Sequence, residues 1–119
     1  MFSIVFPGQG SQKIGMVKEF YEKYDLAKRL FKDADAILNV PITKIIFEGP
    51  ENKLNSTENT QPAIFLASYC IFEIIKKEFG YDFKKFKYFA GHSLGEYSAL
   101  ACIGSTNFED TLKILQKRG

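Results

Sequence analysis

The run Phe89-Ala90-Gly91-His92-Ser93-Leu94-Gly95-Glu96 limits this chain's folding choices more than any other. It sets a serine between two glycines at the spacing G-x-S-x-G. The apolar segment Tyr88 to Ala90 precedes it, and the helix-forming segment Glu96 to Cys102 follows. That order predicts a strand, a sharp turn and a helix, the context of a nucleophile elbow. A serine on such a turn has its hydroxyl lifted from the backbone at a helix N-terminus, where negative charge on a substrate oxygen is favoured. Gly91 and Gly95 remove Cβ atoms where strand and helix crowd the turn. The residues Ser93-Leu94-Gly95-Glu96 also fit S-x-x-E, the capping box of an ordinary helix start, so a purely structural role stays open on this motif alone.

A second glycine-rich segment lies near the other end. Phe6-Pro7-Gly8-Gln9-Gly10-Ser11-Gln12 follows the short apolar run Phe2 to Phe6. The first turn after a strand in an α/β protein is where ligands approach backbone amides. Gly8 and Gly10 would let Gln9 present its N–H to an oxyanion. A Pro-Gly turn without chemistry is the competing reading. The segment is not a dinucleotide fingerprint, because the third glycine of that motif is missing at the required spacing.

Taken together, FPGQGSQ, Thr60-Gln61-Pro62-Ala63 and GHSLGEYSAL resemble malonyl-CoA:acyl carrier protein transacylase and related acyltransferase domains. The resemblance runs along essentially the whole chain, through Phe108-Glu109-Asp110 to Arg118-Gly119. It implies an α/β fold: the N-terminal part of a hydrolase-like parallel-sheet core with a nucleophile elbow. On this reading residues 1–119 are a partial acyltransferase large subdomain, and a ferredoxin-like small subdomain lies beyond the chain's end. The implied reaction moves malonyl from malonyl-CoA onto Ser93 as an ester, then onto the phosphopantetheine thiol of holo acyl carrier protein. No cofactor and no metal are expected.

The resemblance also distributes roles. A serine hydroxyl is a weak nucleophile until a base takes its proton. The only histidine, His92, adjoins Ser93. Side chains around a tight turn diverge, so His92 is a poor base, and with Gly91 and Gly95 it is assigned to supporting the elbow. In the family the base is a histidine far downstream. Leu94 supplies the elbow's own oxyanion donor through its backbone N–H. The resemblance assigns the second donor to the backbone of Gln9. Arg118 matches the arginine that holds the malonyl carboxylate, which a planar guanidinium can grip in bidentate fashion. Its structural alternative is a cation facing a helix C-terminus. Two rival functions remain: a generic serine esterase on the same elbow, and a non-catalytic truncated module that binds carrier protein.

Composition bounds the rest. At 119 residues the chain is the size of one domain, and 45% hydrophobic with 25% charged residues is ordinary for a globular protein. A formal net charge of +2 does not argue for nucleic acid. The densest basic patch, Lys84-Lys85-Phe86-Lys87, reads as a solvated loop. Cys70 and Cys102 lie in apolar helical stretches and read as buried free thiols. Phe2 to Phe6 is too short for a signal-peptide core, and Ala63 to Ile75 is too short to span a bilayer. A cytoplasmic location is expected, or an organellar one after removal of a transit peptide.

Periodicity and punctuation supply an element order. Phe2 to Phe6 and Tyr88 to Ala90 read as strands. Helices are expected over Met16 to Tyr24, Asp25 to Leu38, Ile42 to Glu48 and from a cap at Asn59 or Thr60 to Phe79, with Gly80 as its left-handed stop. Further helices should run from Ser93 to Gly104 and over Phe108 to Arg118, the last capped by Thr106 or Asn107. The helix from Thr60 is apolar on every face. Two strands are little cover for it, so apolar side chains are expected to be left exposed and the chain to be incomplete.

Overall fold

The computed structural model describes residues 3–6, 15–78, 88–91 and 107–118. They form two strands, β1 (Ser3–Phe6) and β2 (Tyr88–Gly91). Six helices join them: α1 (Lys18–Lys23), α2 (Asp25–Leu38), α3 (Ile42–Glu48), α4 (Glu51–Leu54), α5 (Thr57–Glu78) and α6 (Phe108–Arg118). The described residues are thus mostly helical, around one parallel strand pair.

Helix α2 has the predicted bounds. It buries Ala27, Phe31, Ala34 and Leu38, one stripe at three- and four-residue spacing. Leu26 and Leu30 pack against the core but are only partly buried. Asn39 ends the helix at φ 56°, a left-handed position that asparagine tolerates better than most residues.

Helix α3 also keeps its predicted bounds, and its start depends on α2. No side chain of its own N-cap serves it. Instead, the Asp35 carboxylate accepts the Thr43 backbone N–H at 2.8 Å and the Thr43 hydroxyl at 3.0 Å. One acidic side chain thereby satisfies an orphan helix donor and faces the positive end of the α3 dipole. Asp35→Ala is expected to lower stability by about 1–2 kcal/mol, the usual cost of a lost cap, read by urea denaturation. A loss below a few tenths would show that water replaces the carboxylate.

Three starts differ from expectation. Helix α1 begins at Lys18, not Met16, because Gly15 to Val17 form a turn in which Val17 sits at φ 57°. Helix α4 follows Pro50 and was missed; a proline followed by an acidic residue is its faint sequence signal. Helix α5 begins at Thr57, not at an Asn59 or Thr60 cap. Both of those side chains donate back to carbonyls of the preceding turn: Asn59 Nδ2 to Lys53 O at 2.9 Å, Thr60 Oγ1 to Ser56 O at 3.0 Å and to Leu54 O. The Ser56 carbonyl accepts the N–H groups of Asn59 and Thr60, carrying the helix back one turn. Helix α6 resolves the other ambiguity in favour of Asn107, whose Oδ1 accepts the Asp110 N–H at 2.7 Å while Nδ2 donates to Asp110 Oδ2 at 2.9 Å.

Two aromatic clusters organise the core. Phe31 stacks on Phe47 at 5.3 Å, and Tyr21 packs against both rings at 5.3 and 4.9 Å. On the other side Phe65, Tyr69 and Phe108 pack mutually at 5.0–5.8 Å, joining α5 to α6. Helix α5 is buried continuously from Thr60 to Ala67, on every face as expected. The expectation that its apolar side chains would be left exposed is not met. Helices α2 and α6 cover it, and Ile114 is the exposed large hydrophobic side chain among the described residues.

Candidate active site

The two strands that precede the glycine-rich segments are paired with each other. β1 and β2 run parallel, with Ser3 opposite Tyr88 and Phe6 opposite Gly91. Paired strands lie about 4.8 Å apart. Phe6 and Gly91 are therefore the neighbouring carboxyl-terminal residues of the two strands. Gln9 is three residues past Phe6 and Ser93 is two past Gly91. The carboxyl ends of parallel strands are where open α/β sheets bind ligands.

Of the predicted site residues, Gly91 is placed as the last residue of β2 and Arg118 as the last residue of α6. Gln9, His92, Ser93, Leu94 and Gly95 lie outside the described residues, as do the helix expected after Ser93, Gly80, Cys102 and the Lys84–Lys87 patch. What positions Arg118 is nevertheless visible. Phe108 stacks on Tyr69, Leu112 and Leu115 are fully buried, and Gln116 Nε2 donates to Leu38 O at 2.9 Å. Helix α6 is pinned along its length to α5 and to the end of α2, so the backbone reaching Arg118 is held by the core.

Gln61 is a feature that sequence reasoning left without a role. It is 6% exposed, and its Oε1 has no hydrogen-bond partner among the described residues. Its sequence signal was an amide inside an otherwise apolar helical run.

Cys70 is a buried free thiol, as expected, and burial pushes its pKa up to about 12 from 9.0. The thiolate is the reactive form, so Cys70 should resist iodoacetamide at pH 8 in the folded state and react on unfolding. The folded pKa is raised, so this group's stabilising contribution is present below about pH 9. It is lost as pH rises toward about 12, because the unfolded thiol ionises first. Native alkylation at the rate of a free thiol would contradict the burial. Among the described residues no group of three His, Cys, Asp or Glu side chains could hold a metal ion, and no helix is long and apolar enough to cross a membrane.

Comparison with known proteins agrees with this geometry. Malonyl CoA-acyl carrier protein transacylase of Bacillus subtilis strain 168 is 46% identical over 118 residues, covering 98% of this chain and 36% of that protein. The crystal structure of an acyl-carrier-protein-S-malonyltransferase from Bartonella henselae superposes with a TM-score of 0.93 at 42% identity, covering 99% of this chain and 38% of that one. A malonyl-transacylase solved in complex with its holo type II PKS acyl-carrier protein superposes at 0.91 with 37% identity, covering 98% of this chain and 37% of that one. This chain spans about a third of the length of the relatives it matches. The model of the acyl transferase domain matches residues 3–119, nearly everything from the first strand onward. With its strand pair, its helices and its sequence all agreeing with that match, the chain belongs to the acyl transferase domain family.

Proposed function

We propose that this chain is part of the large subdomain of a cytoplasmic malonyl-CoA:acyl carrier protein transacylase of fatty acid biosynthesis, built on a hydrolase-like parallel sheet. Ser93 attacks the thioester carbonyl of malonyl-CoA. The tetrahedral oxyanion is held by the backbone N–H groups of Leu94 and Gln9, and coenzyme A leaves as the thiol. The phosphopantetheine thiol of holo acyl carrier protein then attacks the Ser93 ester and carries malonyl away. No base for Ser93 is assigned within these 119 residues, whose one histidine is His92.

The observation that carries this reading is the register of the strand pair. Phe6 lies opposite Gly91, so the strand ends that precede Gln9 and Ser93 in sequence are neighbours. An oxyanion hole needs two donors converging on one oxygen, and two adjacent loops can supply one each. The names of the relatives support malonyl-CoA and acyl carrier protein as the two substrates.

The direct test is acylation. The full-length natural protein, incubated with malonyl-CoA and digested, should carry a malonyl ester on the peptide containing Ser93. Equal labelling in Ser93→Ala would rule the mechanism out. Hydrolysis of neutral esters with no transfer to a carrier thiol would favour a serine esterase instead.

Arg118 is expected to set acyl selectivity. If its guanidinium pairs with the free malonyl carboxylate, Arg118→Ala should cut malonyl transfer but spare acetyl transfer. A charge-assisted bond contributes about 1.5–3 kcal/mol, so the malonyl-over-acetyl preference should fall roughly ten- to a hundredfold. Equal losses for both acyl groups would make Arg118 a helix-terminal cation only.

A further inference from the structure

Helix α6 ends at Arg118. The end of a helix is the part least held by its own hydrogen bonds: its last carbonyls have no partner within the helix, and such ends fray at little cost. Two contacts oppose fraying here. Leu115 is fully buried. One residue later the partly buried Gln116 donates from Nε2 to the Leu38 carbonyl at 2.9 Å, across 78 positions of chain. Between described residues this is the one side-chain hydrogen bond that ties the last turn of α6 to another helix. The receiving end is itself fixed. Leu38 is the last residue of α2 and is 3% exposed, so its carbonyl belongs to the packed end of that helix.

We propose that Gln116 is a positioning residue for acyl selectivity. Its hydrogen bond to Leu38 holds the last turn of α6 against the end of α2, and so fixes the backbone from which Arg118 meets the malonyl carboxylate. The inference rests on the role proposed above for Arg118. Positions two apart on a helix lie about 200° apart around its axis, so Gln116 does not share the substrate with Arg118; it acts through the turn. A bidentate guanidinium–carboxylate pair needs two parallel N–H···O bonds, so it is sensitive to small shifts of the backbone that carries it.

Gln116→Met keeps an unbranched side chain of similar length and removes the donor. In the full-length natural protein it should lower the kcat/KM preference for malonyl over acetyl about three- to tenfold, less than Arg118→Ala does. Acetyl transfer should stay within about twofold of wild type, because acetyl has no carboxylate to misplace. In an Arg118→Ala background the same change should move the preference by less than about twofold, since residues that act through one contact are not additive. Gln116→Lys, which carries a donor of similar reach, should keep the wild-type preference.

A wild-type preference in Gln116→Met, beside a lost one in Arg118→Ala, would overturn the proposal and leave the role of Arg118 standing. Equal falls in malonyl and acetyl transfer would overturn it too, as the pattern of a bond that only completes the end of α2. So would a drop in the double variant as large as in the single one, because Gln116 would then act without Arg118. Should Gln116→Met fail to fold, Gln116→Lys decides: a reduced preference in a lysine variant that melts with the wild type also overturns the proposal. An Arg118→Ala protein that keeps its malonyl preference refutes the carboxylate reading itself, and the role of Gln116 with it.

Discussion

Ser93→Ala is expected to lower malonyl transfer by on the order of a hundred-thousandfold to a millionfold, the range seen when a serine nucleophile is removed from a hydrolase site. The argument is chemical. On the proposed mechanism no ester can form without the hydroxyl, and the donors proposed at Leu94 and Gln9 would have no tetrahedral intermediate to stabilise. The capping-box alternative makes a different forecast. A serine cap lost to alanine costs about 1 kcal/mol of stability, which cannot produce five orders of magnitude in rate. Ser93→Asn separates the two, because asparagine caps a helix as well as serine does. Full activity in Ser93→Asn, or a mere few-fold loss in Ser93→Ala, would leave the motif as an ordinary helix start.

Phe31→Ala is expected to be the most damaging change to the fold, at about 3–5 kcal/mol. Phe31 is fully buried on α2, stacks on Phe47 at an interplanar angle of 9°, and receives the edge of Tyr21. Aromatic pairs add about 0.5–1.5 kcal/mol each beyond area burial, and the ring joins three helices at once. The loss is a large share of a typical domain's 5–15 kcal/mol. The thermal midpoint should fall by roughly ten degrees or more, while Phe31→Leu, closer in volume, should cost less than half as much. A change below about 1 kcal/mol in Phe31→Ala would show that these helices do not depend on the cluster.

The same contrast between local and distant causes explains what could be read in advance. Helices α2 and α3 kept their predicted bounds because apolar spacing and the Gly49-Pro50 stop act within a few residues. Asn107 caps α6 through the N–H of Asp110, three positions on, so the sequence held that information locally. The two glycine-rich motifs were legible for the same reason, since turn chemistry depends on consecutive residues. Ser93 and Gln9 were singled out by their own glycine-rich motifs, whereas the roles expected of the second oxyanion donor and of Arg118 came from likeness to a family.

What the sequence by itself determined, then, is the set of short-range elements: two strands and most of the helices of the described residues. The structure departs from the capping expectation at the start of α5, where the Thr60 hydroxyl donates to the Leu54 and Ser56 carbonyls. It alone decided that Val17 is left-handed, beside a Gly15 held by Ile46 from another helix. It alone set Phe6 against Gly91. Strand register between segments far apart in the chain follows from how the whole core packs, which no window of neighbouring residues contains.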